Sequence, residues 1–67
     1  MTYGELKRKL RRLGVRFLKQ KKRHEYWERP GTSFTTQIPR HRGEVPNGTL
    51  HAILHDLGFT DEDLNKV

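Results

Sequence analysis

No cysteine occurs among the 67 residues, which excludes both a disulfide framework and a thiolate metal site. Apolar residues make up only 31% of the chain, and no apolar run exceeds the three residues Ala52–Leu54. A membrane-spanning helix needs about 20 such residues in a row, so none is expected. The first residues carry charge where a signal peptide would carry an apolar stretch, which makes the cytoplasm the expected location. The chain has a single tryptophan and a single methionine. A chain this short buries only about 60% of the surface it exposes when unfolded. Residues 1–67 therefore read as one domain held by a small core.

Charge is abundant and uneven. Residues 1–23 carry ten Lys or Arg against the single acid Glu5, while residues 24–67 carry four against seven acids. The excess of +9 in the first third outweighs −3 in the rest and gives the net +6. A basic segment of this kind is the footprint of a polyanion-binding surface. A membrane-surface helix would also be basic, but its apolar side would need more bulk than Tyr3, Leu6, Leu10 and Leu13 provide. Nucleic acid is the better match.

Thr2-Tyr-Gly-Glu5 has the form of a capping box. Tyr3, Leu6, Leu10 and Leu13 then recur at helical spacing, and Gly14 offers a left-handed stop. Lys7, Arg8, Arg11 and Arg12 form the opposite, basic face of this helix. Val15–Lys19 reads as a strand, Gln20–Arg23 as a hairpin connection without glycine, and Arg23–Arg29 as a second strand ended by Pro30-Gly31. Ser33–Ile38 reads as a third, β-branched and aromatic. Pro46 opens a helix carrying Leu50, Ile53, Leu54 and Leu57, which Gly58 ends, and Thr60 caps a short last helix anchored by Leu64. The expected fold is α+β, in the order α-β-β-β-α-α, with a three-stranded antiparallel sheet and the helices on one face. The expected core is Leu6, Leu10, Leu13, Val15, Phe17, Trp27, Ile38, Leu50, Ile53, Leu54, Leu57 and Phe59.

The chemistry concentrates in Lys19–Glu28. Here a run of cations (Lys19, Lys21, Lys22, Arg23) precedes His24, and the aromatics Tyr26 and Trp27 follow. Cations hold phosphates, an aromatic ring stacks on an unpaired base, and an imidazole moves a proton near neutral pH. Period two places His24, Tyr26 and Glu28 on one side of the strand and Glu25, Trp27 and Arg29 on the other. Two assignments are open: Trp27 inward with His24 in solvent, or the reverse. The first is preferred, because a thin core gains more from tryptophan and histidine tolerates water better. RNA carries its own nucleophile in the 2′-OH, so His24 as general base would suffice to start cleavage. The RNA-contacting set is then Lys19, Lys21, Lys22, Arg23 and Tyr26, with Arg8 and Arg12 from the helix. Tyr26 is also a weak option for the acid that protonates the leaving oxygen.

Other groupings carry less. His51 and His55 have the i, i+4 spacing of two metal ligands, but no third ligand is evident. They read as polar flanks of the leucine stripe, and no metal or cofactor is expected. His41 follows Pro39-Arg40 at a strand end, where packing or capping is as reasonable as catalysis. Ser33, Thr35 and Thr36 lack a nucleophile–base pattern.

Gly14-Val15, the hairpin ending in His24, Trp27, Ile38-Pro39-Arg40-His41, and Gly48-Thr49-Leu50 through Ile53-Leu54 to Gly58-Phe59 together resemble the HicA toxins. These are the RNA-cleaving partners of HicA/HicB toxin–antitoxin modules. The resemblance covers essentially the whole chain and rests on the order and spacing of the segments. It implies a double-stranded-RNA-binding-domain-like fold and a ribosome-independent mRNA interferase activity. It also implies an HicB-like antitoxin that covers the active site. The family's active histidine lies in a Gly-Ser-His segment; carried over, it is His24. This chain has Lys22-Arg23 in place of Gly-Ser, at a position where glycine would serve a positive φ that lysine does not readily adopt. A non-catalytic double-stranded-RNA-binding module, using the same helix and hairpin, is the alternative reading.

Overall fold

The computed structural model describes residues 1–67. Helix α1 (Tyr3–Arg12) begins at the expected capping box. The Thr2 hydroxyl accepts the Glu5 backbone N–H at 3.1 Å, and the Glu5 carboxylate accepts that of Thr2 at 3.1 Å. The Thr2 backbone and hydroxyl bonds hold the Glu5 carboxyl below its usual range. Two further helices follow the sheet, α2 (Asn47–Leu57) and α3 (Asp61–Asn65). Pro46 caps α2 from outside rather than forming its first turn. The second capping box joins Thr60 to Asp63, whose carboxyl is likewise lowered by the Thr60 N–H it accepts.

Strands β1 (Arg16–Lys21), β2 (His24–Glu28) and β3 (Thr35–Pro39) pair antiparallel in the order β1-β2-β3. The architecture is the α+β meander expected. The first hairpin is tighter than the sequence implies, because Lys21 pairs with His24 and leaves only Lys22 and Arg23 to turn. So short a link requires a left-handed residue, and Lys22 supplies it at φ 56°. Lysine does adopt here the conformation for which glycine would be the natural choice. Its β-carbon then crowds the following carbonyl, at a cost of about 1–2 kcal/mol.

The helices cover the sheet face that carries Trp27, Thr36 and Ile38. Those three join Tyr3, Leu6, Leu10, Val15, Val45, Ile53, Leu54, Leu57 and Leu64 as the buried residues. Leu13, Leu50 and Phe59 pack around them half-buried. The Thr36 hydroxyl donates to Asp56 of α2 at 2.9 Å, which satisfies the one buried polar side chain. Phe17 departs from the expectation and is 47% exposed. It lies opposite Trp27, its ring edge-on at 5.9 Å, but β1 is an edge strand that the helices do not reach over. A bulge at Leu18 separates the Phe17–Trp27 and Lys19–Tyr26 pairs, and every residue of β1 is exposed.

The loop after β3 is tied down on both sides. The Arg40 N–H donates to the Arg23 carbonyl at 2.8 Å, which extends the sheet past Pro39. The Tyr3 N–H donates to Gly43 at 3.1 Å and the Val45 N–H to Met1 at 2.9 Å, with a bridge between Thr2 and Glu44. These bonds fix residues 40–45 between the hairpin turn and the start of α1, and they account for the burial of Val45.

Candidate functional site

Strand β2 has no bulge, so its alternation survives folding and sorts its side chains cleanly. Trp27 is fully buried and His24 is exposed, the first of the two assignments weighed from the sequence. His24 stands at the head of β2, opposite Lys21 on one side and Pro39 on the other. Tyr26 follows two residues along the same face, half-buried, opposite Lys19 and Gln37. The Lys19 ammonium lies 5.3 Å from the centre of the Tyr26 ring, a cation–π arrangement that holds a cation on the open sheet face. This face therefore offers an imidazole, a phenol and two lysines to solvent.

A second feature lies around the end of the sheet. A cleft of about 540 Å³ is lined by Lys7, Lys22, Arg23, Arg40, His41 and Arg42, with no apolar residue. The hairpin turn supplies two of these, α1 one, and the tethered loop three. Lys22 and Arg23 thus border both the His24 face and the cleft. Behind the cleft, Glu25 receives the Trp27 indole N–H at 2.9 Å and the Lys7 ammonium at 3.3 Å. The Arg40 guanidinium stands 3.7 Å from the same carboxylate. Glu25 is the only acid in this group and its side chain is 13% exposed, so it anchors two of the cations while leaving the cluster strongly positive. The His41 ring lies 6.0 Å from that of Tyr3.

The sequence-derived set is only partly gathered. Lys19, Lys21, Tyr26 and His24 share the sheet face, and Lys22 and Arg23 join the cleft. Arg8 and Arg12 are exposed one turn apart on α1, and neither lines the cleft. Lys7 and Arg11, assigned with them to a free basic face, have structural partners instead. Lys7 binds Glu25, and the Arg11 guanidinium lies 5.0 Å over the Trp27 ring. The sequence leaves His41 open between packing or capping and catalysis, and its approach to the hairpin together with Arg40 and Arg42 depends on the Arg40–Arg23 bond across the sheet end. On α2, the His51 ring stands 3.7 Å from the Asp61 carboxylate of α3. No group of three His, Cys, Asp or Glu side chains converges to hold a metal ion, and no helix is long and apolar enough to cross a membrane.

No curated protein matches the chain. A family model does: the one described as HicA toxin of bacterial toxin-antitoxin matches residues 3–59. The matched region starts with α1, takes in the sheet, the tethered loop and α2, and stops at Phe59 before α3. With the whole of the sheet and the cleft inside a match that spans most of its length, the chain belongs to the HicA toxin family of bacterial toxin–antitoxin modules.

Proposed function

We propose that the chain is the toxin's working part in the chemical sense, an RNA endonuclease that cuts messenger RNA without the ribosome and uses His24 as general base. The observation that carries this reading is the exposure of His24 at the head of β2, between Lys21 and the Lys22-Arg23 turn. The family membership supports it. In the proposed reaction the His24 imidazole takes the proton of a ribose 2′-OH, and the 2′-oxygen attacks the adjacent phosphorus. The new 2′-O–P bond forms as the bond to the 5′-oxygen breaks. The departing oxygen takes a proton from solvent, and a cyclic phosphate remains. Lys21, Lys22 and Arg23 neutralise the charge that builds on the phosphoryl oxygens. Tyr26 and Lys19 supply a stacking surface and a phosphate contact to the neighbouring nucleotide.

The mechanism asks nothing of a metal or cofactor, since the substrate brings the nucleophile and the protein brings the base and the positive charge. An HicB-like antitoxin would silence such an enzyme most directly by placing acidic groups over His24 and the turn, where blocking the base and matching the charge are one contact. The cytoplasm, where transcripts are, is the proposed place of action. The test is incubation of purified protein with single-stranded RNA in EDTA. Fragments with cyclic-phosphate ends are expected from the wild type and none from His24→Ala. Binding without cleavage by either protein would instead support a non-catalytic RNA-binding module.

A further inference from the structure

Four of the six residues that line the cleft beside the His24 face, Lys7, Arg40, His41 and Arg42, have no part in the cleavage chemistry. Five cations and an imidazole N–H converge there from three separate parts of the chain. Like charges at close quarters repel, so such a group persists only where something holds it. Two tethers do so: Glu25 anchors Lys7 and Arg40, and the backbone bonds of residues 40–45 fix the loop that carries His41 and Arg42. Arg23, His41 and Arg42 make no side-chain hydrogen bond or ion pair within the protein, and neither does the Lys22 ammonium. All four line the same cleft, and their side-chain donors have no partner in the protein. The strained φ of Lys22 belongs to the same arrangement, because the two-residue turn is what brings Lys22 and Arg23 to the edge of the cleft.

We propose that this cleft is a phosphate-binding subsite, distinct from the face that carries His24. It rests on the cleavage reading only for its purpose, which is to hold a backbone phosphate flanking the scissile bond and so set the RNA's register against the imidazole. The chemistry of the lining selects the ligand. No hydrophobic residue lines the cleft and five of its six residues are cationic, so it favours a phosphate group over a neutral nucleoside. Guanidinium forks match phosphate oxygens two at a time, and three of the six lining residues are arginines. Contact of this type positions RNA without reading its sequence. The phosphate has two possible sources, an internal phosphodiester or a terminal monoester, and the chemistry of recognition is the same for both.

The probe is inorganic pyrophosphate, titrated into the intact protein and followed by NMR of the arginine side chains and histidine rings. Saturating shifts are expected at His41, Arg40 and Arg42, with His24 and Tyr26 moving little. Arg42→Gln removes a side chain that has no partner in the fold, so its effect is not one of misfolding. It should weaken pyrophosphate binding about tenfold, the worth of one charge-assisted hydrogen bond, and raise the KM for RNA in parallel. Lys66→Gln at the C-cap of α3, outside the cleft lining, should change neither affinity by more than about twofold, as a screened surface charge does. Displacement of pyrophosphate by 5′-hydroxyl and 5′-phosphorylated RNA alike assigns the subsite to internal phosphates; displacement by the 5′-phosphorylated RNA alone assigns it to a terminal one. Three results would overturn the proposal: shifts that never saturate, equal shifts at His24 and His41, or displacement by polyglutamate as efficient as by RNA. The third would make the cleft a seat for protein carboxylates. The two readings fail separately. Saturable pyrophosphate binding without RNA cleavage removes the enzyme and keeps the subsite, while His24-dependent cleavage with no pyrophosphate bound in the cleft does the opposite.

Discussion

Glu25 joins the core to the cleft, and replacing it in two ways separates its two roles. Glu25→Gln keeps an oxygen to accept the Trp27 indole N–H but removes the charge that faces Lys7 and Arg40. Breaking a fully buried ion pair costs about 3–5 kcal/mol. Here the partners are 25% and 54% exposed, at 3.3 and 3.7 Å, so water screens much of that and about 1 kcal/mol is expected, toward the surface-pair range. Glu25→Ala also strands the indole N–H of a fully buried tryptophan, which adds about 1–3 kcal/mol for an unsatisfied donor. Equilibrium urea unfolding monitored by Trp27 fluorescence measures both. In a domain of this size 1 kcal/mol corresponds to about 4–8 °C in Tm, so the variants should be separable by melting as well. The reasoning is refuted if Glu25→Gln is as damaging as Glu25→Ala, because the indole bond would then contribute nothing beyond the charge.

Trp27→Ala empties the centre of the core and should cost about 3–5 kcal/mol; circular dichroism of a chain that stays as stable as the wild type would contradict its placement. Replacing Lys21 and Lys22 with Ala should weaken binding to every RNA sequence. It should also flatten the dependence of log affinity on log salt, whose slope is about −0.7 per neutralised phosphate of a single strand. A slope left unchanged in fluorescence anisotropy would move the RNA surface elsewhere, with the exposed Arg8 and Arg12 next in line. The two capping boxes predict an acid dependence. The Glu5 and Asp63 carboxyls are held below their usual range in the folded chain, so they contribute stability above the unfolded-state pKa that is lost as pH falls through the folded one. The stability gap between wild type and Glu5→Gln should therefore shrink on acidification, and a gap that stays constant with pH would contradict the bond.

What the sequence made legible was local. The capping box at Thr2 and the cap at Thr60 are local patterns; both form, and at Thr60 the Asp63 side chain completes a second box. The direction of Trp27 follows from period two because β2 itself carries no extra residue: it pairs regularly with β3, and the bulge in its pairing with β1 lies on the β1 side, at Leu18. Phe17 shows where the same rule falls short. It does face the side of Trp27, but burial on an edge strand depends on how far the helices extend, and no local pattern encodes that. The bulge at Leu18 depends likewise on pairing with β2. The cleft was the least legible part. No local pattern places Arg40, His41 and Arg42 against the hairpin; the hydrogen bond from Arg40 to Arg23 and the tether from Tyr3 to Gly43 do so. The conformation of Lys22 was misjudged because residue preference argued against a positive φ, while the two-residue turn imposed one.

The most direct test of the account is a side-by-side assay of wild-type and His24→Ala protein on one radiolabelled RNA, with the fold of each checked by circular dichroism and the matching DNA as control. The exposed position of His24 predicts that the variant stays folded and still binds RNA, yet produces no cyclic-phosphate fragments, and that neither protein cuts the DNA, which lacks the 2′-OH. Cleavage by the folded variant at the wild-type rate would contradict the claim that His24 is the base and would shift the search to His41.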